Sequence, residues 1–247
     1  MVDFKDHFST QSKIYSTYRP KYPSELFTFI SNQCVNTNLA WDCATGTGQA
    51  ARGLSEYFSN IIATDASDKQ IRKADGPDNI QYRTATASCS GLDDQSVDLV
   101  SVAQALHWFE LEDFYREVRR VLKPTGKIAV WSYGLMEINE QIDRLFLEFH
   151  NDFLGSYWPL ERSHVVNGYE DLEFPFNKGV TPEISMDLSW SLEQFLGYLR
   201  TWSATTRYKK EKGHDPVDDW EDRFKEAWSG QDIKRVSWPI TLLIGGH

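Results

Sequence analysis

The sequence predicts an α/β fold, a mostly parallel sheet with helices on both faces. Three observations lead there. Short apolar runs alternate with amphipathic ones through the first half of the chain, the pattern of strands joined by crossover helices. The first of these runs ends in a glycine-rich turn, "DCATGTGQ", that feeds a helix, as at the carboxyl end of a parallel sheet. At 247 residues the chain is also long enough to bury one large core, so a single domain carrying an insertion is expected.

Pro20 and Pro23 set extended backbone ahead of a helix over 23–33. Strands follow at 39–43, 61–65, 79–83, 97–103 and 126–133, with helices at 48–58, 67–74 and 110–122 between them. The last of these helices is the most clearly punctuated. Acids crowd its first turn, Arg119, Arg120 and Lys123 its last, and Pro124 and Gly126 stop it before the next strand. After Gly134 the rhythm changes. Ile142, Leu145, Phe146, Phe149 and Phe153 recur at helical spacing within 138–154, then comes an irregular aromatic stretch, "GSYWPLERSHVVNGYEDLEFPFNKG". This marks 135–182 as a cap insertion rather than a further strand-helix unit. "EISMDLSW" then reads as a strand, "SLEQFLGYLRTWSATTRY" as one helix capped by Ser191, 216–230 as another helix, and "RVSWPITLLIG" as a last strand. Pro239 places that strand at a sheet edge or gives it a bulge. The resulting division is a core over 23–134, the cap over 135–182, and a C-terminal part over 183–247 that completes the sheet and adds substrate-pocket helices.

Composition narrows the function. With 26 basic against 36 acidic residues the net charge is −10, so a broad phosphate-binding face, and with it a nucleic-acid partner, is disfavoured. Cys34, Cys43 and Cys89 have neither disulfide-framework nor zinc spacing. The N-terminus is too polar for a secretory signal, and no run reaches the roughly 18 apolar residues of a membrane span. A cytoplasmic protein without a metal site is the expectation.

The glycine turn fits two cofactors. Read literally, "GTGQAA" matches G-x-G-x-x-A, and Asp65 lies nineteen positions past Gly46, as a dinucleotide fold requires for its ribose contact. That reading makes an NAD-dependent oxidoreductase. Asp42 argues otherwise: at the strand end a carboxylate repels a pyrophosphate but accepts a hydrogen bond from an ammonium group. It suits S-adenosylmethionine, which carries an amine and a sulfonium and no phosphate.

The segment "DCATGTG" then resembles the D-x-G-x-G-x-G loop of class I S-adenosylmethionine-dependent methyltransferases, with Ala44 in place of the first glycine. "GLDDQSVDLVSVAQALHWF" and "VRRVLKPTGKIAVW" resemble the fourth strand and the helix-to-fifth-strand segment of the type 11 group, which includes trans-aconitate and ubiquinone-type methyltransferases. Order and spacing match over about 7–134, and "GSYW" and "YLRTWSA" are similar to the trans-aconitate branch. The resemblance implies a Rossmann-like seven-stranded sheet, S-adenosylmethionine as cofactor, and a small-molecule methyl acceptor.

It also implies roles. Asp42, Ala44, Gly46 and Gly48 would form the cofactor loop, Asp65 would accept both ribose hydroxyls, and Ala66 would line the adenine. Thr86 and Ala87 stand where the family usually has Asp-Ala at the adenine edge, and Ala103 and Gln104 would face the methionine part. Residues 1–22 match a lid in which Tyr15 closes over the sulfonium and Arg19 pairs with the cofactor carboxylate. His107 is either a base or substrate hydrogen-bond donor poised near neutral pH, or a ring that merely holds its loop, and Trp108 is a site wall or core filler. Trp131, Tyr133, Tyr157, Trp158 and Trp202 would form an aromatic cage. Arg162, His164, Arg200 and Arg207 would select an acidic substrate unless they are solvated surface charge. The expected activity is O-methylation of a small carboxylate or hydroxyl compound; a nucleoside-binding relic without activity is the other reading.

Overall fold

In the computed structural model, which describes residues 20–247, the parallel strands run as expected. Helix α1 (Ser24–Asn32) precedes β1 (Leu39–Cys43), followed by α2 (Gln49–Leu54), β2 (Asn60–Asp65), α3 (Asp68–Ile71), β3 (Ile80–Thr84) and β4 (Val97–Ala103). A short 3-10 turn, Leu106–Trp108, leads to α4 (Leu111–Val121) and β5 (Leu122–Tyr133). The second half holds α5 (Glu140–Leu147), a π-helical turn (Glu148–Phe153), a 3-10 turn (Gly155–Tyr157), α6 (Arg162–Val166) and β6 (Asn177–Lys178). Then come β7 (Ile184–Ser191), α7 (Leu192–Arg200), α8 (Ser203–Lys212), α9 (Glu221–Ala227) and β8 (Ile233–Gly246).

The sheet has eight strands rather than seven, in the order β3-β2-β1-β4-β5-β8-β6, with β7 also paired to β8. The additional strand is the two-residue β6. β3, β2, β1, β4 and β5 pair in parallel, and β8 joins antiparallel to β5, β6 and β7. Because β1 lies between β2 and β4, the strand order reverses there, the point at whose carboxyl end open α/β sheets have their ligand crevice.

Alternation along the strands sends side chains to two apolar layers. On one face Leu26, Phe27 and Ile30 of α1 and Ala50, Ala51 and Leu54 of α2 cover Ala40, Ile61, Ala63, Leu99 and Trp131. The same cluster continues without a break through Phe146, Phe149, Phe195, Trp202, Trp220 and Phe224. The cap segment and helices α7 to α9 therefore share their core with the sheet. On the other face Phe114, Val118 and Val121 of α4 cover Trp41, Val100, Val102, Ile128 and Val130, joined by Tyr169, Phe174 and Phe176.

Three sequence expectations are corrected. The helix over 138–154 is α5 followed by the π-helical turn. The helix over 191–208 keeps its Ser191 cap, with the reciprocal Gln194 contact, but breaks at Thr201 and Trp202. There the Thr201 and Thr205 hydroxyls donate to the carbonyls of Tyr198 (2.6 Å) and Leu199 (2.8 Å), which also accept the Thr201 and Trp202 N–H groups in the tightened last turn. Pro239 lies in an interior strand and not at an edge. The irregularity sits opposite: register slips by one residue between Tyr133↔Ile240 and Glu137↔Ser237, so no donor is called for at the proline nitrogen.

Strand β5 also starts earlier than expected. Between Val97↔Leu122 and Leu99↔Lys127 the segment Lys123 to Gly126 bulges out. A Cβ on Gly126 would come within 2.8 Å of Leu122 Cδ2 and 3.0 Å of the Lys123 carbonyl, so a side chain there would force Leu122 and the bulge backbone to shift. Lys123 Nζ reaches buried Asp98 at 2.8 Å, and Asp98 also accepts the Asn38 and Leu39 N–H groups. That anchors the start of β1 to β4.

Candidate active site

The turn after β1 is held by two carboxylates. Asp42, fully buried, accepts the Thr45 hydroxyl at 2.6 Å and the Ser101 hydroxyl at 2.7 Å, tying the turn to β4. Asp65, 8 % exposed at the end of β2, accepts the Gly46 N–H at 2.9 Å on one oxygen and the Ser67 N–H at 2.8 Å on the other. A carboxylate has two oxygens, each able to accept more than one hydrogen bond, which suits a vicinal diol. Burial pushes the Asp42 carboxyl up to about 6, against the hydrogen bonds from Thr45 and Ser101.

Strain collects at the same place. Ala44 has φ +56° and Gln104 φ +55°, a left-handed backbone that costs a side-chain-bearing residue roughly 1–2 kcal/mol. They sit just past β1 and β4, the two strands that flank the crevice. Strained residues of this kind gather at ligand sites. Gln104 is locked by its N–H on the Trp131 carbonyl (2.9 Å) and its Nε2 on the Tyr133 carbonyl (3.0 Å).

The two glycines do different things. Gly46, φ +58°, has no atom of the described residues within 4 Å of where a Cβ would be. Its open side lets a ligand approach the backbone. Gly48, φ +87°, is closed over by Tyr82, whose hydroxyl would stand 2.2 Å from a Cβ there and donates to the Asp75 carbonyl at 2.7 Å. Sequence reading missed Tyr82, which no motif marks.

Two buried carboxylates beside an open, glycine-lined turn repel a pyrophosphate and suit a neutral or cationic nucleoside. This donor set fits an adenosyl sulfonium. Around the rim, Ala66 and Thr86 are exposed, and Ala87, Ala103 and Gln104 are half-buried. Tyr15 and Arg19 lie outside the described residues. Among the described residues no cluster of three metal-ligating side chains occurs, and no helix is long and apolar enough to cross a membrane.

Of its two sequence readings, His107 is placed as the second has it, a ring that holds its loop. Burial, with Arg162 and His164 adding, pushes its pKa down to about 3, and Nδ1 lies 3.0 Å from the buried Tyr169 hydroxyl. It is a neutral ring that braces its turn, not a group poised near neutral pH. Trp108, 39 % exposed, packs on it at 4.7 Å.

The five aromatics divide. Trp131 is fully buried on the sheet and, with Tyr133, meets Tyr22 at 5.6 and 6.2 Å. Tyr157 packs on Tyr208, while Trp158 and Trp202 meet each other at 5.2 Å and both contact His150. His150 was also missed; its signal was its place one turn after Phe146 in the apolar stripe. Of the basic candidates, Arg200 is taken by Asp218 (2.7 Å) and Glu221 (3.2 Å), and His164 by Asp171 (2.7 Å). Arg207 donates to the Tyr157 carbonyl at 3.3 Å, and Arg162 lies over the Trp158 ring at 5.2 Å.

Residues 41–130 match the family model described as a methyltransferase domain. A candidate methyltransferase of Dictyostelium discoideum is 32% identical over 249 residues, covering 98% of this chain and 95% of that one. A Saccharomyces cerevisiae chain ascribed to S-adenosylmethionine-dependent methyltransferases is 25% identical, with 92% of each covered. The solved structure of a candidate type II methyltransferase from Anaeromyxobacter dehalogenans superposes with a TM-score of 0.87 at 37% identity, covering 93% of this chain and 98% of that chain.

Proposed function

Since this chain belongs to the class I S-adenosylmethionine-dependent methyltransferases, we propose that it methylates an oxygen of a small molecule, a carboxylate or a hydroxyl, by in-line transfer. The cofactor supplies an electrophilic methyl carbon on a sulfonium; the chain supplies position and a dry surround. Asp65 holds the ribose diol while its contacts to Gly46 and Ser67 keep the carboxylate oriented. The Gly46 backbone lies open to the nucleoside, and Ala66, Thr86 and Ala87 border its base. Asp42 attracts the cofactor ammonium and, through Thr45 and Ser101, fixes the turn relative to β4. Ala103 and Gln104 flank the methionine part, with Tyr15 and Arg19 assigned to its carboxylate side. Tyr133, Tyr157, Trp108, Trp158 and Trp202 line the acceptor side, and residues 1–22, 135–182 and 183–247 serve as lid, cap and pocket helices on the 23–134 core.

The observation that carries this reading is the coincidence of two strained non-glycine residues, an open Gly46 and two buried carboxylates at one crevice. The resemblance to the trans-aconitate branch supports an acceptor of modest size. Calorimetry tests the cofactor half: S-adenosylhomocysteine should bind and NAD should not, and Asp65→Ala should weaken binding at least about tenfold by removing charge-assisted hydrogen bonds of about 1.5–3 kcal/mol. NAD binding in preference would sink the proposal. Radiolabelled methyl transfer into a metabolite extract, followed by mild alkaline hydrolysis, separates esters from ethers and so tests the acceptor half.

A further inference from the structure

His150 bears two costs at one position. It sits in the π-helical turn Glu148–Phe153, a rare geometry found disproportionately at functional sites. It is also 5 % exposed, and its Nε2 has no hydrogen-bond partner among the described residues. A buried acceptor left without a donor costs about 1–3 kcal/mol, and folds rarely retain such a group unless something satisfies it in use.

The ring is aimed by its other nitrogen. Nδ1 lies 2.7 Å from Oδ1 of exposed Asn151. Nδ1–H therefore donates outward, and the Nε2 lone pair faces inward. The surroundings are flat and apolar: Trp158 stacks on the ring at 4.6 Å, Trp202 presents an edge at 5.5 Å, and Phe146 lies at 6.3 Å. Trp158 spends its own Nε1–H on the His150 carbonyl at 2.9 Å, so that indole does not serve the lone pair. Trp158 is half-buried, with Leu160 exposed two residues on, whereas Phe146 and Trp202 are buried, so Trp158 is the ring of the three that reaches the surface.

Two further facts bear on this aromatic cluster and its chemistry. Arg162 lies over the Trp158 ring at 5.2 Å, and its charge acts on both His150 and His107, which links the cluster to the turn that follows β4. Burial, aided by Arg162 and opposed by Asn151, pushes His150 down to about 4, which keeps the imidazole neutral and its lone pair available at ordinary pH.

Resting on the methyltransferase reading, we infer that His150 Nε2 is the hydrogen-bond acceptor that recognises a hydroxyl-bearing methyl acceptor whose flat apolar body packs among Phe146, Trp158 and Trp202. The hydroxyl donates its hydrogen to Nε2, which orients the oxygen lone pairs away from the imidazole. A carboxylate, lacking a donor, is not served by this lone pair.

The test uses the full chain with isotope-labelled histidine, titrated with naphthol and with its methyl ether, which has the shape without the donor. The His150 Nε2 resonance, assigned by its absence in His150→Phe and in His150→Gln, should move with naphthol and stay put with the ether. Naphthol should bind His150→Phe at least about tenfold more weakly, while S-adenosylhomocysteine binds both proteins alike. Equal shifts from the two probes, no shift from either, or a water that remains on Nε2 in crystals grown with naphthol would each overturn the inference. Failure of S-adenosylhomocysteine to bind the wild-type chain would instead count against the transferase reading, leaving the resonance result to be judged on its own.

Discussion

Replacing Asp42 with Asn should make this protein more stable at neutral pH. Asp42 is fully buried, and its carboxyl is pushed from an ordinary 3.8 up to about 6. In the unfolded chain the same group ionises near its ordinary value. Between those two pH values the folded state therefore holds a proton that the unfolded state has released. Stability from this group is fully present below about pH 4 and is lost as pH rises through 6. At about 1.4 kcal/mol for each tenfold difference in proton affinity, the loss comes to about 3 kcal/mol. Asn conserves the volume and the hydrogen bonds, because one of the Thr45 and Ser101 hydroxyls can turn to accept from the new amide while the other still donates. Urea unfolding of both proteins from pH 4 to 8 isolates the effect, since other titrating groups cancel in the difference. Wild-type stability should fall relative to Asp42→Asn by about 3 kcal/mol across that range. A flat difference, or a wild type that gains on the variant as pH rises, would refute the account of a carboxylate that the protein keeps ionised at a cost. If the cofactor ammonium needs that carboxylate, the stabler variant should bind S-adenosylhomocysteine more weakly, a common exchange at ligand sites.

Two other predictions concern the same crevice. Ala44→Gly removes a side chain from a backbone at φ +56° and should raise the unfolding midpoint by an amount equivalent to about 1 kcal/mol; a loss of stability would show that the Ala44 methyl packs better than its dihedral suggests. His107, held neutral with its pKa down to about 3, should put no limb on the pH-rate profile between 5 and 8. A limb in that interval that disappears in His107→Gln would restore the histidine to a protonation role.

The parallel half of the fold was legible because β1, β2 and β4 are short apolar runs closed by turn signals, and the DCATGTG turn marks where the crevice is expected. Asp42 and Asp65 could be placed at strand ends for the same reason. The second half was harder because helical periodicity reports a face and not a boundary: Phe149 and Phe153 keep the stripe going through a π-helical turn, and Leu199 and Trp202 hide a break that two threonine hydroxyls stabilise. Pro239 misled in a more instructive way. The rule that bars proline from interior strands concerns a missing donor, and here the neighbouring chain has already left the sheet where that donor would have pointed. His107 was read from its chain position, but its proton affinity is set by burial and by Arg162, fifty-odd residues away, which no local pattern encodes. His150 and Tyr82 carry no motif at all, and only packing reveals them.

Strand β8 is the hinge pin of assembly. Its latter part closes against β5 and its earlier part against β7, so the strand that joins the two halves is synthesised after both. Until it arrives, β7 has no sheet to dock on and the helices that follow β7 lack a floor. Folding of this chain should accordingly proceed in two acts, an early one confined to the parallel strands and a slow, late one in which a single insertion recruits everything else.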